Sequence, residues 1–95
     1  MRDPVALLAR AITGYARAHG CAFRIGYLSG RPWASATFEG ERVELELDDV
    51  EPGAAWLSEL PDAELTVREH HVADLVVRPL SDSSVRVEAL LLRDL

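Results

Sequence analysis

Two adjacent histidines are the residues of this chain that most resemble a metal or acid–base site. His70 and His71 lie between Glu69 and Asp74, and imidazole nitrogens together with carboxylate oxygens are typical zinc ligands. Consecutive side chains of a strand point to opposite faces, so His70 and His71 bind one ion only where the backbone bends. We therefore assign no metal and no cofactor. A small-ligand or metal site around His70, His71 and Asp74 is kept as the alternative function.

A run of carboxylates is the second candidate for chemistry. It consists of Glu39, Glu41, Glu44, Glu46, Asp48, Asp49 and Glu51. Arg42 is the one basic residue among them. A negative field of this kind attracts a basic protein, so Glu44, Glu46 and Asp48 form a candidate acidic docking face. A solvated strand face that discourages pairing between sheet edges is the other interpretation.

Motifs for covalent catalysis and for phosphate binding are absent from the sequence. There is no Gly-x-Ser-x-Gly segment, and the single cysteine, Cys21, falls on a predicted core face. Gly26 and Gly30 are not followed by the start of a helix, as a phosphate-binding loop requires. No catalytic residue is assigned, and the sequence favours a non-enzymatic role.

The charge balance and composition narrow the class of partner. Ten arginines and no lysines stand against 16 acidic residues, which gives a formal net charge of -6. Nucleic-acid binding relies on clustered basic residues, so neither nucleic acid nor an anionic membrane is an expected partner. A lone cysteine, with no signal peptide and no long apolar run, predicts a cytoplasmic protein. The absence of Lys, Asn and Gln indicates a GC-rich, bacterial genome.

These residues need a scaffold, and 95 residues predict one domain over residues 1–95. Asp3 as the cap, Pro4 in the first turn and Gly20 at the end predict an N-terminal helix. Its buried stripe, at helical spacing, consists of Val5, Leu8, Ile12, Tyr15 and Ala16.

Strict alternation of apolar and polar residues then predicts a three-stranded antiparallel meander over residues 21–28, 32–38 and 42–48. Tyr27 falls on its inner, buried face. A two-residue turn at Ser29 and Gly30 places Trp33 on the outer face opposite Gly26. Trp33 either shields that glycine or serves as a contact anchor.

The second half of the chain predicts a short helix, a short strand and a hairpin. The apolar side of the helix, which ends at Pro61, consists of Trp56, Leu57 and Leu60. Residues 63–69 form a short strand or an extended connection. A three-residue loop at residues 81–83 joins the hairpin strands. That loop pairs Val77 with Val87 and Ala73 with Leu91.

The hairpin is apolar on both faces, and this feature carries the functional hypothesis. We predict an α+β fold with both helices on one face of an antiparallel sheet. That arrangement covers Leu75 and Val77 but leaves the apolar residues of the other face uncovered. The predicted partner surface consists of Val72, Val76, Leu90, Leu92 and Trp33.

The order of elements and the acidic charge resemble those of type III secretion chaperones, which are small, acidic, dimeric proteins that bind other proteins. The C-terminal helix usual in that family has no counterpart here. The leading hypothesis is a non-catalytic, adaptor-like or chaperone-like interaction module that forms a homodimer, with a further protein partner left open. A hydrophobic ligand held between helices and sheet is a third hypothesis.

Overall fold

The computed structural model describes residues 3–94 and shows an α+β fold. In chain order its elements are α1 (Pro4–Ala18), β1 (Arg24–Ala34), β2 (Glu39–Asp48), α2 (Ala55–Glu59), a 3₁₀ turn (Leu60–Asp62), β3 (His70–Ser81) and β4 (Ser84–Arg93). The strands form one antiparallel sheet in the spatial order β1-β2-β4-β3. Within residues 3–94, no helix is long and apolar enough to cross a membrane.

Helix α1 begins and ends as its sequence predicts. The carboxylate of Asp3 accepts a hydrogen bond from the backbone N–H of Val5 at 2.9 Å, and Pro4 occupies the first turn. After the helix, Gly20 adopts a φ of 72°, a left-handed conformation that glycine tolerates best. The buried stripe consists of Val5, Leu8, Ile12 and Ala16. Tyr15, which the sequence placed in this stripe, is only partly buried and packs against the core from its edge.

The predicted meander is wrong, because one strand runs through its first turn. Strand β1 continues past Ser29 and Gly30, and the chain reverses at residues 35–38 instead. There the hydroxyl of Ser35 accepts hydrogen bonds from the backbone N–H groups of the turn. Gly30 serves packing, because a Cβ at that position would collide with Val5 of α1.

A bulge at Gly26 changes which residues of β1 share a face. The pairing with β2 shifts between Ile25 and Tyr27, so these two side chains lie on opposite faces of the sheet. The predicted burial of Tyr27 is therefore wrong, and its side chain is 54% exposed. Because β1 is continuous, Trp33 lies opposite Gly40 instead of Gly26.

The β3–β4 hairpin keeps the predicted register at its centre, where Val77 pairs with Val87. The connection itself is shorter than predicted. Asp82 and Ser83 form a two-residue turn, and a bulge at Leu80 supplies the odd residue that the prediction assigned to the loop.

A third bulge, at Ala73, overturns one residue of the predicted partner surface. Val72, rather than Ala73, pairs with Leu91, and Val72 packs against the core. The alternation resumes beyond the bulge, so Asp74 and Val76 keep the face opposite to Leu75.

The segment between β2 and β3 is held mainly by buried side chains. Trp56 of α2 is buried and stacks on Phe23, with ring centroids 6.0 Å apart.

Residues 63–69 form no strand, and only an isolated bridge joins Val67 to His70. The short strand predicted there is wrong, although Val67 is buried as an apolar strand residue would be.

The core lies on one side of the sheet, which we call the helix face. Its buried sheet positions are Val43, Leu45, Leu47, Leu75, Val85, Val87, Ala89 and Leu91. The buried residues of α1 and α2 belong to the same cluster. We call the opposite side of the sheet the open face.

Candidate functional site

The open face is formed by alternate residues of all four strands, which cross-strand pairing arranges in rows. At one end, the apolar row holds Trp33, Gly40, Leu92 and His71. Next to it, the arginine row holds Arg31, Arg42, Leu90 and Asp74. In the middle, the carboxylate row holds Ser29, Glu44, Glu88 and Val76. Beyond it, the mixed row holds Tyr27, Glu46, Arg86 and Arg78. The last row holds Arg24, Asp48 and Ser84.

No residue in these rows is buried, in contrast to the helix face. Val76, Leu90, Leu92 and Trp33 are each partly exposed, and the sheet places all four on this one face. Four of the five residues of the predicted partner surface therefore share a face, and Val72 does not. Within residues 3–94, no element buries this surface.

Tyr27 is an apolar member of the open face that the alternation pattern missed. It lies in the mixed row, and its exposure places it among the four large hydrophobic residues that are most exposed in the described chain. The signal that would have found it is Gly26, since a glycine inside a strand pattern often marks a bulge. The other three are Leu28, Phe38 and Leu80.

The open face is electrically balanced, although the chain is acidic. It carries five arginines and five carboxylates, so the net charge of -6 resides on the rest of the chain. Glu44, Glu46 and Asp48 do lie together on this face, as the acidic docking hypothesis requires. Arginines from β1, β3 and β4 lie on the same face, however, so the face as a whole has no excess of negative charge.

Two ion pairs lie within the charged part of the open face, one in the last row and one between the mixed and carboxylate rows. Arg24 reaches Asp48 at 3.7 Å, and the hydroxyl of Ser84 donates to the same carboxylate at 2.8 Å. Arg78 donates to Glu88 at 2.8 Å, and this hydrogen bond raises the pKa of Arg78 above its ordinary value.

Glu46 is the carboxylate of this face whose pKa the structure shifts. A hydrogen bond with Asp48 raises the pKa of Glu46 above 4.5, and burial and the charge of Asp48 act in the same direction. Arg86 and Arg24 oppose this shift by favouring the ionised form. Both carboxylates lie against Gly26, where a Cβ would collide with them.

A groove of about 570 Å³ occupies the arginine and carboxylate rows. Its residues are Ser29, Arg31, Arg42, Val43, Glu44, Glu88 and Ala89. Arg31 and Arg42 lie directly opposite each other, and neither forms an ion pair within residues 3–94. Like charges in directly opposed positions are destabilising. An acidic group entering the groove would relieve that repulsion.

The histidine pair does not converge on one site. His70 donates its Nδ1 proton to the backbone oxygen of Arg68 at 2.9 Å, whereas His71 projects from the open face. Asp74 lies one row from His71 on that face. In the part of the chain that the structure describes, no three potential ligands are grouped to hold a metal ion.

A second, smaller cavity of about 300 Å³ lies between α2 and the end of β3. Its lining residues are Pro52, Gly53, Leu57, Ser58, Pro61, Val77 and Pro79. The hydroxyl of Ser58 donates to the backbone oxygen of Ala55 at 2.8 Å. That hydroxyl is the one side-chain polar group of the lining, so the cavity offers little to orient a ligand.

Comparison with protein-family models, curated proteins and solved structures found no match for this chain.

Proposed function

We propose that the chain is a non-catalytic protein-interaction module that forms a homodimer through its open face. The observation that supports this proposal is the unequal cover of the two sheet faces. The buried residues of both helices belong to the core cluster of the helix face. The open face instead leaves Trp33, Leu90 and Leu92 partly exposed at one end.

The shape and charge of the open face favour a protein partner over other classes. Sites for small molecules are usually concave and mostly apolar, whereas this face is four strands wide and its groove is lined largely by charged residues. The formal charge of the open face is zero, which gives no attraction to nucleic-acid phosphates.

For localisation, we propose the reducing cytoplasm, because Cys21 is the single cysteine of the sequence.

Sedimentation equilibrium over a wide range of protein concentration tests the proposal. We expect the wild type to dimerise and Leu90→Arg to remain monomeric, because the substitution puts a charge into the apolar end of the open face. Leu80→Arg is the matched control. Leu80 is also partly exposed, but it lies at the hairpin end of the sheet, far from the apolar row.

Circular dichroism must show that both variants are folded, which their exposed or partly exposed positions lead us to expect. A wild type that stays monomeric at high concentration would refute the homodimer. A dimer that Leu90→Arg leaves intact would place the interface elsewhere on the molecule.

A further inference from the structure

The rows of the open face specify how a second copy fits it, an inference that rests on the proposed function. We propose that two copies pack open face to open face, about a twofold axis that runs parallel to the strands and passes between β2 and β4. In this arrangement β1 of each copy lies over β3 of the other, and β2 lies over β4. Each row therefore meets the same row of the partner.

The area of the face supports a second sheet as the occupant. Four strands about 4.8 Å apart and ten residues long, at about 3.3 Å per residue, cover roughly 600 Å² in projection. Standard protein interfaces bury about 800 Å² of accessible surface per partner. Side chains project from the sheet, so the accessible surface of this face is larger than its projected area and approaches that value. A single helix, about 10 Å in diameter, would leave almost half of the face uncovered.

The axis along the strands keeps the apolar ends together. Trp33 lies over the partner's His71, where the two rings can stack. Leu92 lies over the partner's Gly40, which has no side chain to obstruct it. Burial of apolar surface is the main favourable term in protein association, so this match is the strongest reason for the axis.

The same axis also satisfies the charges of the groove. Arg31 lies over the partner's Asp74, and the partner's Leu90 covers the stem of Arg42. The carboxylate of Asp74 thus enters the groove where two arginines oppose each other without an ion pair among residues 3–94. In a twofold dimer each such contact occurs twice. Aligned sheets cross at about −30°, which displaces Arg31 from Asp74 by about 5 Å, within reach of an arginine side chain.

One kind of like-charge contact results, between Glu44 and the partner's Glu88, and the twofold axis repeats it. Arg78 neutralises Glu88 within its own chain at 2.8 Å, which limits the repulsion. A twofold axis across the strands would pair Arg31 with the partner's Tyr27, and Asp74 with the partner's Arg78. It would also separate the two apolar rows, placing Trp33 over the partner's Arg24, and for that reason we reject it.

Charge exchange between Arg31 and Asp74 tests the axis. These residues lie on the two outer strands and form no ion pair in the described chain, so their exchange leaves intramolecular ion pairs intact. We expect Arg31→Glu and Asp74→Arg each to raise the dimer dissociation constant about tenfold, because two attractive contacts become repulsive. The double variant should return to within about threefold of the wild type.

A mixture of the two single variants gives a second measurement. In the mixed dimer, the glutamate introduced in one chain faces the arginine introduced in the other, and the unchanged Arg31 faces the unchanged Asp74. Each variant should therefore associate more tightly with the other than with itself. Arg10→Glu on the exposed side of α1 has the same charge change as Arg31→Glu and should leave dimerisation within about threefold of the wild type.

The outcomes separate this inference from the proposed function. Recovery in the double variant and in the mixture supports the axis along the strands. If both single variants weaken the dimer without recovery, the open face is the interface and the axis is wrong. If neither single variant weakens the dimer, the proposed arrangement is also overturned. A monomeric wild type would refute the proposed function itself.

Discussion

Gly30→Ala is expected to disturb the packing of α1 on the sheet, and it tests which face the helix covers. A Cβ at Gly30 would collide with Cγ2 of Val5, a stiff β-branched side chain that is buried under the helix. Overpacking of this kind costs about 1–3 kcal/mol, and we expect about 2 kcal/mol of lost unfolding free energy here. If α1 instead covered the open face, Gly30 would not contact Val5, and the predicted partner surface would be buried by the helix.

A double-mutant cycle with Val5→Ala isolates the contact between Val5 and the Cβ that Gly30→Ala introduces. Val5→Ala alone removes two buried methyl groups and should cost about 2 kcal/mol through lost burial and a small cavity. In that background the Cβ that Gly30→Ala introduces has room and partly fills the cavity. The double variant should therefore be at least about 1 kcal/mol more stable than the sum of the single effects predicts.

Urea unfolding at one fixed protein concentration measures this cycle, because the proposed dimerisation would make the apparent stability depend on concentration. Gly53→Ala is the control: beyond the chain neighbours, no heavy atom of the described residues lies within 4 Å of a Cβ at that position, and its φ is not positive. We expect that variant to stay within about 0.5 kcal/mol of the wild type. Additivity of Val5→Ala and Gly30→Ala within about 0.5 kcal/mol would refute the contact and the placement of α1.

Two further predictions concern the open-face side of the sheet. Gly40→Ala should cost about 2–3 kcal/mol in urea unfolding, since a Cβ would strike a backbone carbonyl oxygen of β4 that cannot move without shifting the strand; an effect as small as that of Gly53→Ala would contradict this. Glu46→Gln should stabilise the Leu90→Arg monomer at pH 7, because the hydrogen bond with Asp48 raises the pKa of Glu46 in the folded state. Folding of the wild type therefore favours protonated Glu46. Protonated Glu46 stabilises the folded state below pH 4.5, and this stabilisation is lost as the pH rises through the raised pKa. Thermal unfolding measured at a series of pH values, with and without Glu46→Gln, checks this prediction. A stabilisation by Glu46→Gln that persists unchanged below pH 4.5 would argue against the hydrogen bond between Glu46 and Asp48.

The fold class and the buried stripe of α1 followed from the sequence because both rest on local signals. Asp3, Pro4 and Gly20 mark the ends of α1, and the periodicity of its apolar residues marks the buried side. Ser29 and Gly30 misled the prediction because the same residue types suit a hairpin turn and a strand position beneath a helix. The difference lies in a tertiary contact with Val5, which no local pattern encodes.

The candidate site could be predicted only as far as strict alternation holds. Leu90 and Leu92 lie on the regular strand β4, and their face was predicted correctly. Tyr27 follows the bulge at Gly26, and Val72 precedes the bulge at Ala73. At each bulge one extra residue moves the neighbouring side chain to the other face of the sheet. The balance of charge on the open face was also out of reach, since it depends on which strands are neighbours in space.

The bulges and prolines of the two edge strands limit how far an assembly of this protein can grow. Strand β1 has a bulge at Gly26 and lacks a backbone donor at Pro32, and β3 is interrupted at Ala73, Pro79 and Leu80. Such irregular edges make poor templates for another strand, which discourages open-ended fibres. In the proposed face-to-face pair each open face covers the other, so association through it closes at two chains.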